Sequence, residues 1–322
     1  MVEIPRIVLH NDQVEALAER LSEAFPDAPF DVCTSYAGLP DALASFRPEV
    51  VYSVRFAGTQ GFPRDAILGS FGPRWIANGG VGTDHLGVWD TRHVTVTNAA
   101  GVAANMMAEY ILGGILHFTL GVADLQADKA DKAWRSRRVT PIGGKTLAIV
   151  GLGHTGQALA MRAKALGMTV LGTRARPVPM DNVDDVAAPS GLHQVLARAD
   201  FVAVCTPLTA HTRGMIGAPE IASMKPGVIF ADVSRGGVVD QTALIQGLRD
   251  GPVAAAVLDV FETEPLPPES PFWDLPNVIL SPHCSSVYDG WEMASFDMFL
   301  SNLRRWIDAA PLENVVDPDR GY

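Results

Sequence analysis

Thr146-Leu147-Ala148-Ile149-Val150-Gly151-Leu152-Gly153-His154-Thr155-Gly156 is the stretch that decides the fold of this chain. The run 146–150 is short, apolar and rich in β-branched residues, as expected of a strand buried on both faces. A Gly-x-Gly-x-x-Gly turn follows at once, and the apolar spacing beyond it predicts a helix over 157–166. In that order the three glycines have distinct tasks. The first makes the tight turn, the second lets backbone approach a pyrophosphate, and the third lets the helix pack close to the strand. The helix N-terminus then faces the phosphates. The same turn also occurs without a ligand, and in methyltransferases that take a nucleoside cofactor, so the residues around it must discriminate.

The next strand, 169–173, ends in Arg174-Ala175-Arg176. An NAD site carries an acid about 20 residues after the glycines, to bind the ribose 2′-OH. No acid stands here. Two arginines flank the point, and guanidinium groups match a phosphate. Arg174 and Arg176 are therefore predicted to clamp a 2′-phosphate, against the plainer reading of two solvated loop charges. This favours NADP(H), with NAD(H) still allowed.

Further strands are predicted at 201–205, 228–233, 254–258 and 278–281, which gives a doubly wound order. Upstream, strands at 6–10, 50–54 and 94–97 with a helix at 14–25 form another parallel unit. The apolar helix at 103–122 contains Glu109, His117 and several glycines, and is predicted to be buried rather than to span a membrane. The last helix, 288–309, has no strand to accompany it and is predicted to return to the first unit. The fold class expected is α/β, with two Rossmann-like or flavodoxin-like doubly wound domains. One comprises 1–102 and 287–322 and is discontinuous; the other is 103–286.

Composition limits the partners. The chain has 322 residues, 48% apolar and 19% charged, with net charge -11. Two cores are affordable at that size. The acidic balance argues against nucleic acid and anionic membrane. Cys33, Cys205 and Cys284 are sparse and show no CxxC spacing, which suggests reduced thiols in a cytoplasmic protein. Residues 1–10 lack a basic segment followed by a long apolar run, so no signal peptide is expected. No metal site is expected.

Several motifs in order resemble the D-isomer-specific 2-hydroxyacid dehydrogenase family. They are Val150 to Gly156; Cys205-Thr206-Pro207-Leu208-Thr209 with Thr212; Ser234-Arg235-Gly236-Gly237-Val238-Val239-Asp240; Leu258-Asp259-Val260-Phe261-Glu262-Thr263-Glu264-Pro265; and Leu275-Pro276-Asn277-Val278-Ile279-Leu280-Ser281-Pro282-His283. The resemblance runs from about 79 to 283. It implies a catalytic trio. Arg235 would pair with a substrate carboxylate and polarise the keto oxygen. His283, whose ordinary pKa is near neutral, would hold the transferable proton. Glu264 would orient the imidazole and favour its charged form. Singly, each could be a loop charge, a turn acid or a helix-start residue.

The resemblance further implies that the amides of Val81 and Gly82, in Gly80-Val81-Gly82 before Asp84, meet the substrate carboxylate. It assigns cofactor contacts to Gly151, Leu152, Gly153, His154, Thr155, Gly156, Arg174, Arg176, Cys205, Thr206, Pro207, Thr212, Val233, Ser234, His283 and Ser285. Asp259 would bind the nicotinamide carboxamide, and Met107, in the 98–109 segment, would lie near the nicotinamide. Trp134 would cover a partner subunit's site or pack in an interface. The 103–122 helix suggests a homodimer.

Two departures stand out. Asp232 occupies a position where the family carries Asn, and could pair with Arg235 or cap the turn. Cys284 follows His283 where the family is apolar, which raises a thiol reading that adjacency alone does not support. The substrate implied is a small 2-keto or 2-hydroxy acid, with glyoxylate/hydroxypyruvate reductases the nearest pattern. Formate dehydrogenases carry Gln where Glu264 stands. Phosphoglycerate dehydrogenases usually carry a further segment that is not visible here. Corepressors of the same fold keep the trio and are the non-enzyme alternative. Residues 55–59 carry no recognisable code for the substrate's side chain.

Overall fold

The structure is a computed structural model and describes residues 4–55 and 61–318. Of the segment 55–59, only Arg55 falls among them. The chain divides into two compact units, 1–102 with 289–322, and 103–288.

The first unit is built on a five-stranded sheet among the described residues. Its strands are β1 (Ile7–His10), β2 (Phe30–Cys33), β3 (Val50–Ser53), β4 (Trp75–Asn78) and β5 (Thr95–Asn98). All pair in parallel, in the order β2-β1-β3-β4-β5. Side chains alternate across the sheet, as the two-residue period of a strand requires. Ile7, Leu9, Val50, Tyr52, Trp75 and Ala77 pack on one face against the helices Glu15–Ala24 and Trp291–Ile307. Val8, Val51, Ile76 and Val96 pack on the other with Leu39, Leu43 and Ile67. The final helix therefore joins the first sheet. Its Phe296, Phe299, Leu300 and Leu303 are buried, each stabilising the unit by about 1.5–3 kcal/mol relative to exposure.

The second unit holds a seven-stranded parallel sheet among the described residues. Its strands are β6 (Thr146–Val150), β7 (Thr169–Thr173), β8 (Asp185–Ala187), β9 (Phe201–Val204), β10 (Val228–Asp232), β11 (Val253–Leu258) and β12 (Val278–Leu280). The order is β12-β11-β10-β9-β6-β7-β8. The chain winds one way from β6 to β8 and the other way from β9 to β12, so the switch point lies between β6 and β9. Ligands of open parallel sheets bind outside the carboxyl ends of the strands at such a point.

The helix Ala104–Thr119 turns Ala108, Ile111, Leu112 and Ile115 onto this second sheet. Its apolar residues thus belong to the core of its own unit, which removes the apolar helix as a reason to expect a dimer. It ends at Leu120, and Gly121, at φ 65°, redirects the chain into the helix Val122–Ala130. Among the described residues no single helix is long and apolar enough to cross a membrane.

Candidate active site and cofactor loop

Because every strand of the second sheet is parallel, the loops after β6, β9, β10, β11 and β12 share one edge. That edge collects the glycine turn, Cys205-Thr206, Ser234-Arg235, Asp259 to Glu264, and His283.

The glycine turn has the shape its sequence predicts. Gly151 stands at φ 102°, where a side chain would be strained and would press on Thr206. A Cβ on Gly156 would meet the Gly151 carbonyl oxygen at 2.2 Å, so only glycine lets the helix His154–Ala165 start this close to the strand. By contrast, a Cβ on Gly153 would project into open space. Among the described residues no side chain caps the amides that begin this helix, and the buried Thr206 hydroxyl has no partner. An open cradle, uncapped amides and an unpartnered hydroxyl together fit a bound dinucleotide.

Arg174 follows β7 directly, and its guanidinium touches the Met180 sulfur at 3.6 Å. Among the described residues, neither Arg174 nor Arg176 has a carboxylate within ion-pair distance, and both are exposed. Met107 accepts a hydrogen bond from the Thr155 hydroxyl at 3.6 Å, which places it beside the glycine turn.

His283 Nδ1 lies 2.8 Å from Glu264 Oε2. A carboxylate only accepts, so Nδ1 carries a proton and Nε2 is left as the atom that can gain or lose one. The other Glu264 oxygen accepts the Phe261 amide at 2.9 Å. Burial pushes the Glu264 carboxyl up, but the bonds from His283 and Phe261 and the charges of His283 and Arg235 outweigh it, leaving the group below the ordinary carboxylate value. Arg235 is partly buried, and its guanidinium donates to the Ser234 carbonyl at 2.7 Å. The structure therefore brings Arg235, Glu264 and His283 to adjacent strand ends.

Asp232 caps its own turn. Its Oδ1 accepts the Ser234 amide at 3.0 Å and the Ser234 hydroxyl at 2.5 Å. Burial, reinforced by the neighbouring Asp259 charge, pushes its carboxyl up to about 7 against these bonds. It is therefore about half protonated near pH 7 and largely uncharged, like an Asn, only below that.

Several residues assigned to the cofactor have their side chains engaged within the chain. The Thr212 hydroxyl donates to the Pro207 carbonyl at 2.6 Å. The Ser285 hydroxyl donates to Asp259 at 2.5 Å, and Ser234 is held by Asp232. Val233 is buried in the core of the unit. Burial pushes the Cys205 thiol up to about 12. Asp259 is 1% exposed, with both oxygens occupied by chain donors. The thiol reading of Cys284 lacks support, because His283 Nδ1 is given to Glu264 and burial raises the Cys284 thiol above its ordinary value.

In the first unit, Asn78 Nδ2 donates to the carbonyls of Gly80 and Gly82, and Asn98 Nδ2 to that of Val81. Among the described residues the amides of Val81 and Gly82 donate to no chain acceptor. Sequence reading missed both asparagines. Their signal was an Asn at a strand end beside a glycine pair. It also missed Ser281 and Tyr110, joined at 2.5 Å from opposite ends of the unit.

A doubly wound nicotinamide-dinucleotide domain with an Arg, a Glu and a His on one sheet edge defines the class, and the chain belongs to the D-isomer specific 2-hydroxyacid dehydrogenase family. That family's NAD binding domain matches residues 112–285. The chain is 32% identical over 265 residues to a D-3-phosphoglycerate dehydrogenase of Methanocaldococcus jannaschii, covering 79% of this chain and 49% of that protein. It thus spans about half the length of that relative. It is 34% identical to a glyoxylate reductase of Korarchaeum cryptofilum, covering 75% of this chain and 76% of the relative. Its structure is similar to that of an NADPH-dependent glyoxylate/hydroxypyruvate reductase from Sinorhizobium meliloti in complex with NADP and sulfate. There the TM-score is 0.82 and the identity 27%, over 99% of this chain and 100% of the other.

Proposed function

We propose that this protein reduces a small 2-keto acid to its D-2-hydroxy acid, in the manner of a glyoxylate/hydroxypyruvate reductase, with NADPH preferred over NADH. The observation that carries this reading is the 2.8 Å pair of His283 and Glu264 on the sheet edge that also bears Arg235 and the glycine turn. When bound, the nicotinamide supplies the hydride.

The chain's own residues do the rest. The turn 151–156 and the Thr206 hydroxyl hold the pyrophosphate and ribose. Arg174 and Arg176 meet the 2′-phosphate. Arg235 neutralises the substrate carboxylate and polarises the keto oxygen. His283 Nε2 gives its proton to that oxygen as negative charge develops there. Glu264 keeps the ring in one orientation.

The NADPH preference rests on the two arginines, which have no carboxylate partner among the described residues, and on the missing acid after β7. It is supported by the likeness to a reductase crystallised with NADP. The test is a panel of 2-keto acids, including glyoxylate and hydroxypyruvate, assayed with each cofactor. Efficiency with NADPH should exceed that with NADH by about tenfold or more. R174D should erase most of that gap, and added salt should narrow it. Equal or better efficiency with NADH would reduce the arginines to solvated loop charges. Absence of turnover across the panel with both cofactors would reject the reaction itself.

A further inference from the structure

In the first unit, the four consecutive carbonyls that follow β4 all end on chain donors. The Gly79 carbonyl accepts the Ser295 hydroxyl at 2.7 Å. The Gly80 carbonyl accepts Asn78 Nδ2 at 2.8 Å and the Ala99 backbone amide at 3.0 Å. The Val81 carbonyl accepts Asn98 Nδ2 at 2.8 Å, and the Gly82 carbonyl accepts Asn78 Nδ2 at 3.1 Å. With these carbonyls turned into the chain, the amides of Val81 and Gly82 have no chain acceptor among the described residues. Successive backbone N–H groups left in this way make a concavity that suits an anion.

Asn78 holds both ends of the turn 80–82. It is the last residue of β4, 5% exposed, and is paired in register with Ser53 of β3 and Asn98 of β5. Its NH2 group has two protons, and they go to the first and last carbonyls of the turn. Side chains of similar size cannot do this: Asp would set an acceptor against two acceptors, and Leu has no donor. The Gly80 carbonyl has a second donor in Ala99, whereas among the described residues the Gly82 carbonyl has Asn78 alone. The chain leaves β4 flush against the core, because a Cβ on Gly79 would meet the Tyr52 hydroxyl at 2.6 Å.

We propose that Asn78 is a positioning residue for substrate binding, its carboxamide holding the turn 80–82 as a preformed cradle for the carboxylate of a 2-keto acid. This deepens the proposed function and rests on the reading of the Val81 and Gly82 amides as donors to that carboxylate. Asn78 acts through the turn. Without it the Gly82 carbonyl loses its donor and is free to rotate outward, which sets a negative dipole against the incoming carboxylate. Binding must then order the turn, at a cost in affinity. The carboxylate keeps its charge throughout the reaction, so substrate and transition state lose this hold alike. The loss therefore falls on KM rather than on kcat.

The test compares N78L and N78A with the unaltered protein. N78L keeps the size of the side chain without a donor. N78A leaves room for a water and should fold in any case. The measurements are KM and kcat for glyoxylate with NADPH, the affinity of the NADPH-loaded protein for oxalate by calorimetry, and the affinity for NADPH itself. Oxalate presents a carboxylate but no keto group to reduce. N78L should raise KM and weaken oxalate binding by about tenfold or more each, with kcat within about threefold. N78A, where a water replaces part of the lost bonding, should raise KM and weaken oxalate by about threefold or more. NADPH affinity should change by less than about threefold in both, because the glycine turn belongs to the other unit. Unchanged KM and oxalate affinity in N78L would overturn the proposal, as would a loss confined to kcat. If N78L failed to fold, the same two values unchanged in N78A would overturn it. If the unaltered protein reduced no keto acid, the reaction would be wrong, and oxalate would still decide the role of Asn78. Weaker binding in the variants would uphold the cradle; equal binding, or none to any of the three proteins, would reject it.

Discussion

Glu264 and Asp232 are two carboxyls on one sheet edge with opposite environments. Glu264 lies below its ordinary value because His283 and Phe261 donate to it, against the upward push of burial. Those two bonds hold the carboxylate, and through it the imidazole, in place. In E264Q the single oxygen cannot serve both donors. E264Q should therefore lower kcat for keto-acid reduction by about 10-fold or more. Unchanged kcat in E264Q would show that Glu264 does not position the ring. Asp232 is shifted upward, to about 7, chiefly by burial. The folded chain therefore keeps a proton that the unfolded chain has lost above its ordinary value of 3.8. The unfolded state binds fewer protons, so stability falls as pH rises from about 4 to about 7 and then levels. D232N can make the same turn without this loss. Between pH 5 and 8 the unaltered protein should lose about 1–3 kcal/mol relative to D232N. Parallel thermal melts across that range would count against a buried, protonated Asp232.

At the scale of elements, what was legible in the sequence followed from pattern length. The strand β6 and its glycine turn carry a five-residue apolar run and a spaced motif, and they fold as read. The strands β2, β4 and β8 were not foreseen. β8 is three residues at a sheet edge, β2 is a half-exposed edge strand, and β4 ends in Ala77-Asn78, which are weak strand formers. The trio was legible because each member follows a strand within an ordered motif. The Tyr110–Ser281 link was not, because it joins residues 171 apart in sequence. Sequence also left Asp232 between a cap and a partner for Arg235, and only the backbone geometry of the turn makes it a cap. The close start of the helix His154–Ala165 predicts that G156A cannot be absorbed, since its Cβ would sit 2.2 Å from a carbonyl oxygen. It should lose about 1–3 kcal/mol and most NADPH affinity. In the helix Ala104–Thr119, a Cβ on Gly113 meets nothing within 4 Å. G113A should therefore stabilise by about 0.4–1 kcal/mol. Equal effects of the two substitutions on the thermal midpoint would contradict this reading.

For the whole molecule, the surface that bears on assembly is the segment after the helix Val122–Ala130. Arg135 and Arg137 anchor it to the buried Asp128 at 2.7 and 2.6 Å. Trp134, immediately before Arg135, stands 104% exposed, and Val139 is 54% exposed. A tryptophan held out on an anchored arm is the kind of residue that dominates an interface. We propose that this arm, rather than the apolar helix, joins two copies as a homodimer. Light scattering should give about twice 34.4 kDa, and W134A should weaken the dimer by about 30-fold or more. A mass near 34.4 kDa at assay concentration would contradict it. If His283 supplies the proton to a keto oxygen held by Arg235 beside a bound dinucleotide, H283A should lose about 1,000-fold or more in kcat/KM for glyoxylate with NADPH. Its NADPH affinity, measured on the same preparation, should stay within about threefold of the unaltered protein's; near-normal turnover in H283A would contradict this role.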